Sequence, residues 1–232
     1  GRAKLSPLGA FGADTKQVLM LQSMYQVTNQ RRVYKEFLYQ LLKHLDEAWD
    51  GREITAEGFI RHLHGMADSD LAALELETDQ HTSKLDAGTS VPHFALNLLD
   101  YKLWYVSEIE KARPEGLPEV KATTFRFAYR TSIEHFLPVN LTQTDAERRT
   151  VDCLGNLCLM SRSENSLRSD HTPDWKVTKY GTTDQSLKFY YMAALQKQCR
   201  AWGPAQIEES GRAMKAVLFR SLPAQRPATP EG

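Results

Sequence analysis

The sequence predicts a mostly helical chain with one small α+β core, on three observations. Apolar residues recur at helical spacing through most of the first half. Residues 113–118, Arg-Pro-Glu-Gly-Leu-Pro, interrupt that pattern. Beyond them, an alternating stretch at 123–130 and two short apolar runs, 133–137 and 157–160, read as extended segments. The 232 residues are 41% hydrophobic and 25% charged, enough to bury a core in one large domain or two small ones. The division expected is a helical region over 1–113, a second domain over 119–222, and a proline-rich tail over 223–232 that stays disordered.

The elements follow in order. Asp14 can cap a helix over 15–27, with Val18, Leu19, Leu21, Met24 and Tyr25 on its apolar side. A second helix over 31–49 carries Val33, Tyr34, Phe37, Leu38, Leu41, Leu42 and Leu45 at helical spacing and stops at Asp50-Gly51. Thr55 can cap a short helix to about residue 64, and Asp68 or Ser69 starts another through Leu76. The polar stretch 78–90 reads as loop. Pro92 suits the first turn of a long helix to about residue 111. Phe125, Phe127 and Tyr129 alternate as in a strand. Residues 189–202 and 207–218 read as two closing helices. His62 and His64 stand two apart, on different helix faces, and read as surface residues.

Composition excludes several classes. No apolar run reaches the ~18 residues of a membrane span, and no secretory leader is evident, so a cytoplasmic protein is expected. Cys153, Cys158 and Cys199 lack the C-x-x-C spacing of a zinc ribbon and read as reduced thiols. Neither a Gly-rich Lys-Ser/Thr loop nor a G-x-G-x-x-G fingerprint occurs. The formal charge is zero, but residues 1–120 hold 13 basic and 18 acidic residues, while residues 121–220 hold 15 and 10. An excess of cations in the second half suits a surface that meets phosphates.

That half also holds the chemistry. Glu134-His135 is followed by Pro138, then by Gly155-Asn156-Leu157, then by Asn165 nine residues after Asn156. An acid beside a histidine, with two asparagines downstream, is what a one-metal nuclease site of the HNH type requires. A neutral imidazole can take a proton from water near neutral pH. A carboxylate and an amide oxygen can hold Mg²⁺ or Mn²⁺, which needs few protein ligands.

The order of these residues resembles the C-terminal HNH-like nuclease domain of GmrSD-type proteins, the modification-sensing restriction and phage-defence enzymes of bacteria. The resemblance covers about residues 125 to 220. It implies a ββα-metal core within the α+β domain, with His135 as general base, Asn156 bracing the loop, and Glu134 and Asn165 as metal ligands. Arg130, Arg168, Lys176 and Lys179 are the expected phosphate contacts. The implied activity is metal-dependent cutting or nicking of DNA, as the effector part of a defence protein. The acidic-Gly-Gln-Gln-Arg signature of that family's sensor half is missing, so modification sensing is expected to reside in a separate N-terminal domain. Two rivals remain: a helical interaction module with an inactive nuclease fold, and an effector that cuts RNA by the same chemistry.

Overall fold

A computed structural model describes residues 11–28, 31–49, 54–76, 84–161, 170–180 and 185–223. Among them are eight α-helices and one two-stranded sheet. The first three helices are α1 (Thr15–Thr28), α2 (Arg31–Ala48) and α3 (Ala56–Leu76). The break expected near residues 65–68 does not form. Leu63, Ala67 and Leu71, spaced four apart, are all buried, so α3 keeps a continuous apolar stripe across Gly65. Burial of that stripe outweighs the ~1 kcal/mol that glycine costs a helix.

The central element is α4 (His93–Glu108), with Pro92 as its N-cap. Every residue from Ala95 to Val106 is buried, because α4 packs on α1 and α3 on one side and on later elements on the other. Its Lys102 is 2% exposed and donates to the carbonyls of Leu218 at 2.7 Å and Arg220 at 2.9 Å, and to Asp68 at 3.0 Å. The ammonium thus satisfies carbonyls at the end of the last helix, where a cation also complements the helix dipole.

Residues 123–130, expected as a strand, are not one. Phe125 is buried and Phe127 packs against the core, but Tyr129 is 64% exposed and no strand among the described residues pairs with the segment. Side-chain alternation alone does not supply the ladder partner that a strand needs. The sheet proper is β1 (Ser132–His135) against β2 (Leu157–Met160), antiparallel, with His135 opposite Leu157 and Glu134 opposite Cys158. Between them lies α5 (Asp145–Val151), whose N-terminus is closed by a reciprocal Thr144 and Glu147 capping box. Beyond β2 come α6 (Pro173–Tyr180), α7 (Leu187–Cys199) and α8 (Pro204–Phe219). One continuous apolar cluster runs from Val18 to Leu218, so the helices before residue 113 and the sheet after it share a core. No described helix is long and apolar enough to cross a membrane.

Candidate active site

β1 ends at His135, and its last two residues both line an open cleft of about 570 Å³. Thr89, Pro138, Asn140, Thr142, Arg148 and Asp170 form its other walls. Two neighbours on a strand normally face opposite ways. Here the pair stands at the strand's exit, where Phe136 and Leu137 turn away to bond Asn156.

Asn156 makes that turn. Its Oδ1 accepts from the Leu137 amide at 2.8 Å and from Trp202 Nε1 at 3.0 Å. Its Nδ2 donates to the carbonyls of Leu137 and Val151, both at 2.9 Å. These four bonds use the whole capacity of a primary amide. The Asn156 carbonyl also accepts from Phe136 N at 2.8 Å. The preceding glycine is required for a different reason. A Cβ on Gly155 would lie 2.0 Å from the Ile207 carbonyl oxygen and 2.6 Å from Gly211 N, so only glycine lets this loop rest against α8. Ser210 Oγ then donates to the Gly155 carbonyl at 3.1 Å.

Glu134 is buried at 4% exposure and pairs with Lys176 of α6, whose Nζ lies 2.5 Å from Oε1. The same ammonium donates to the His135 carbonyl at 2.5 Å. Lys176 is therefore not the surface phosphate contact expected from the sequence, since it is fully buried and committed to the floor of the site. Arg130 departs from expectation in the same way. It is 6% exposed and donates to the Gln185 carbonyl at 3.0 Å. Lys179 is exposed on α6, as a phosphate contact must be. Asn165 and Arg168 lie outside the described residues, as does the short helix expected to begin at Asn165.

His135 is partly exposed, with Nε2 2.8 Å from Asp152 Oδ1 at the C-terminal end of α5. Sequence reasoning missed Asp152, which lies 17 residues from the histidine and in no recognised motif. It also missed Arg148, the only cation among the described residues that lines the cleft.

A second buried charged layer lies behind β2. Cys158 is fully buried, and burial pushes its thiol up to about 12. Lys188 is brought down to about 8 by burial, against the opposing pull of Cys158 and Asp100. Burial raises Asp100 to about 6, although its carboxylate accepts from Lys188 N at 2.7 Å. Cys199, by contrast, is exposed, so only part of the cysteine set is core. With Arg130, Lys176 and Lys188 all buried, the cationic excess of residues 121–220 reaches the surface only in part.

No group of three His, Cys, Asp or Glu side chains capable of holding a metal occurs among the described residues. The Glu134 carboxylate lines the cleft and meets Lys176 through Oε1.

Comparison with protein-family models matches residues 93–217 to the C-terminal domain of GmrSD restriction endonucleases. The match starts at α4, ahead of the 113–118 break, and takes in the sheet, all of the cleft lining except Thr89, α7 and all but the last two residues of α8. No curated protein and no solved structure matches the chain.

Proposed function

This chain belongs to the family of GmrSD restriction endonuclease C-terminal domains, and we propose that it is the DNA-cutting part of such an enzyme, working by HNH-type, one-metal hydrolysis. Family membership supports a nuclease effector in restriction. The finer reading rests on one observation: Glu134 and His135, adjacent at the exit of β1, line one cleft while Asn156 braces the turn after them.

In this reading His135 accepts the proton of a water on Nδ1 as the water oxygen attacks the phosphorus of a phosphodiester. The bond from phosphorus to the bridging oxygen breaks, and that oxygen takes a proton from solvent. Glu134 and Asn165 would hold Mg²⁺ or Mn²⁺, which supplies charge neutralisation at the phosphate and the leaving oxygen when bound. Lys176 keeps Glu134 fixed on the floor of the cleft. Arg148, at the rim, meets a non-bridging phosphate oxygen, and Lys179 contributes to the surrounding potential. In this reading β1 and β2 are the two strands of the ββα core. Such a site reads a backbone phosphate, which carries little sequence information. The isolated chain is therefore expected to nick modified and unmodified plasmid at similar rates.

The test is plasmid nicking with Mg²⁺ or Mn²⁺, with EDTA as control, on wild type and His135→Ala. A loss of at least ~100-fold is expected in a variant that keeps the wild-type melting temperature. Full activity in folded His135→Ala, or activity in EDTA, would remove the reading.

A further inference from the structure

The backbone of His135 is fixed by β2 and by Asn156, but neither sets the angle of the imidazole ring. The only side chain bonded to that ring among the described residues is Asp152, with Oδ1 2.8 Å from Nε2. An ionised carboxylate can only accept hydrogen bonds, so this contact requires the proton of the neutral ring to sit on Nε2. Nδ1 is then left with its lone pair, the form a general base needs.

Asp152 is itself placed by a turn from another part of the chain. Gly88 N donates to the Asp152 carbonyl at 3.0 Å. Gly88 has φ +56°, and a Cβ built there would lie 2.7 Å from Asp152 Oδ1. Two residues earlier, Asp86 accepts from Leu154 N at 2.9 Å and forms an ion pair with Lys215 of α8. Thr89 of the same turn lines the cleft. The turn over 84–90 precedes the region matched to the family, which begins at residue 93.

We propose that Asp152 is a positioning residue that orients His135 and fixes its tautomer, and that the Asp86–Gly88 turn, outside the matched region, holds Asp152 against the ring. Asp152 touches neither substrate nor metal in this scheme; it acts through the histidine. The catalytic part of the inference rests on the general-base role of His135 proposed above, whereas the ring–carboxylate pairing does not.

Two measurements on the full chain separate these levels. The first is a long-range proton–nitrogen correlation spectrum of ¹⁵N-histidine-labelled protein, above the pH at which imidazole ionises. Wild type should show a ring proton of His135 on Nε2, shifted downfield by its hydrogen bond. That signal should vanish in Asp152→Ala and in Gly88→Ala, and return in Asp152→Asn, whose amide oxygen can still accept. The second is steady-state nicking. Asp152→Ala should lower kcat by roughly ten- to a hundredfold with KM within about twofold, the range typical of residues that orient a site's ligands. Asp152→Asn should recover part of that loss. A merely structural aspartate would instead lower the melting temperature and spare kcat in the folded fraction. A His135 proton on Nδ1 in wild type, an unchanged ring signal in Asp152→Ala, or an unchanged kcat in that variant overturns the proposal. If nicking is insensitive to His135→Ala, the nuclease assignment of that histidine fails, and the spectrum still decides the Asp152 pairing.

Discussion

Asn156 and Arg148 both belong to the surroundings of His135, yet they are bonded in opposite ways. Asn156 is fully buried and makes four side-chain hydrogen bonds, to Leu137 twice, Val151 and Trp202. The Arg148 side chain is 59% exposed, and its ion pair with Asp145 spans 3.7 Å. The floor of the cleft, including the Glu134–Lys176 pair, follows the first pattern. The rim, with Asn140, Thr142 and Asp170, follows the second. Rigid buried polar bonds hold the reacting groups to a fraction of an ångström, while exposed, loosely tied groups are left to adapt to a ligand. The difference predicts that floor variants lose stability and rim variants lose binding.

The largest effect is expected at Lys176. Lys176→Met leaves Glu134 buried without its counter-charge and the His135 carbonyl without its donor, a loss of about 3–5 kcal/mol. A chain of 232 residues should then melt roughly 10 °C lower in calorimetry. Adding Glu134→Leu should restore much of that stability, because two apolar side chains of similar volume replace a buried ion pair at little cost. Nicking should stay absent in the double variant. A double variant no more stable than Lys176→Met would show that packing, and not the unpaired charge, sets the loss.

Asn156→Ala comes next. It strands two carbonyls, an amide and an indole N–H at buried or half-buried positions, at about 1 kcal/mol or more each, so a total near 3–4 kcal/mol is expected. Chemical denaturation should show a lower midpoint with little change in slope. Titration of Mn²⁺ into folded Asn156→Ala should give nearly wild-type affinity. Loss of metal affinity with unchanged stability would move Asn156 from the brace to the ligand set.

Parts of this contrast were legible in the sequence and parts were not. Asn156 and Gly155 stood out by their place in the motif, after Glu134-His135 and Pro138 and nine residues before Asn165, and not by their own chemistry. Glu134 and His135 stood out because their chemistry is adjacent in sequence. Lys176 and Arg130 were misread as surface cations, since a sequence shows charge but not burial, and each is buried by a partner more than 40 residues away. The long helices were legible by period, apart from the continuity of α3 across Gly65, whereas the short helices α5 and α6 were missed because seven or eight residues show too few turns for a period to stand out. The stretch 123–130 was misread because alternation reports faces and not ladder partners. Asp152 lies in no recognisable spacing; only the packing of α5 and the Gly88 turn brings it to the histidine.

His64 extends the contrast into the helical half and carries a pH signature. Expected at the surface, it is 6% exposed with Nε2 2.9 Å from the Tyr101 hydroxyl. Burial lowers its pKa from 6.5 to about 4, with Asp68 opposing and Lys102 assisting. The folded state therefore resists protonation that the unfolded chain accepts. Stability is fully present above pH 6.5 and drains away as the pH falls toward about 4. Asp100 works the other way: its carboxyl, raised to about 6, takes up a proton in the folded state before the unfolded chain does. A direct melt of wild type would mix the two, so the difference from His64→Phe is the clean measurement. Between pH 7 and pH 4 the variant should gain on wild type by an amount on the order of 3 kcal/mol. Parallel pH profiles would show that His64 charges in the folded protein without penalty.

The smallest effect on the fold, and the sharpest test of the rim, is Arg148→Glu. Its exposed ion pair with Asp145 contributes little, so the melting temperature should stay within about 2 °C of wild type. Function should respond differently. One phosphate contact fewer lowers the slope of log affinity against log salt by about 1, and reversal of charge adds repulsion. KM for plasmid nicking should rise roughly tenfold at low salt while kcat changes little, because Arg148 binds the backbone and does not move the proton. The control is Lys43→Glu on α2, whose side chain is 53% exposed and lines no part of the cleft. That reversal changes net charge equally and should leave both constants within about twofold of wild type, since a charge beyond a Debye length of ~8–10 Å is largely screened. Equal effects from Arg148→Glu and Lys43→Glu would mean that DNA is drawn by overall charge and lies across the helical half as well. A lower kcat with unchanged KM in Arg148→Glu would instead move Arg148 from the rim into the reacting centre.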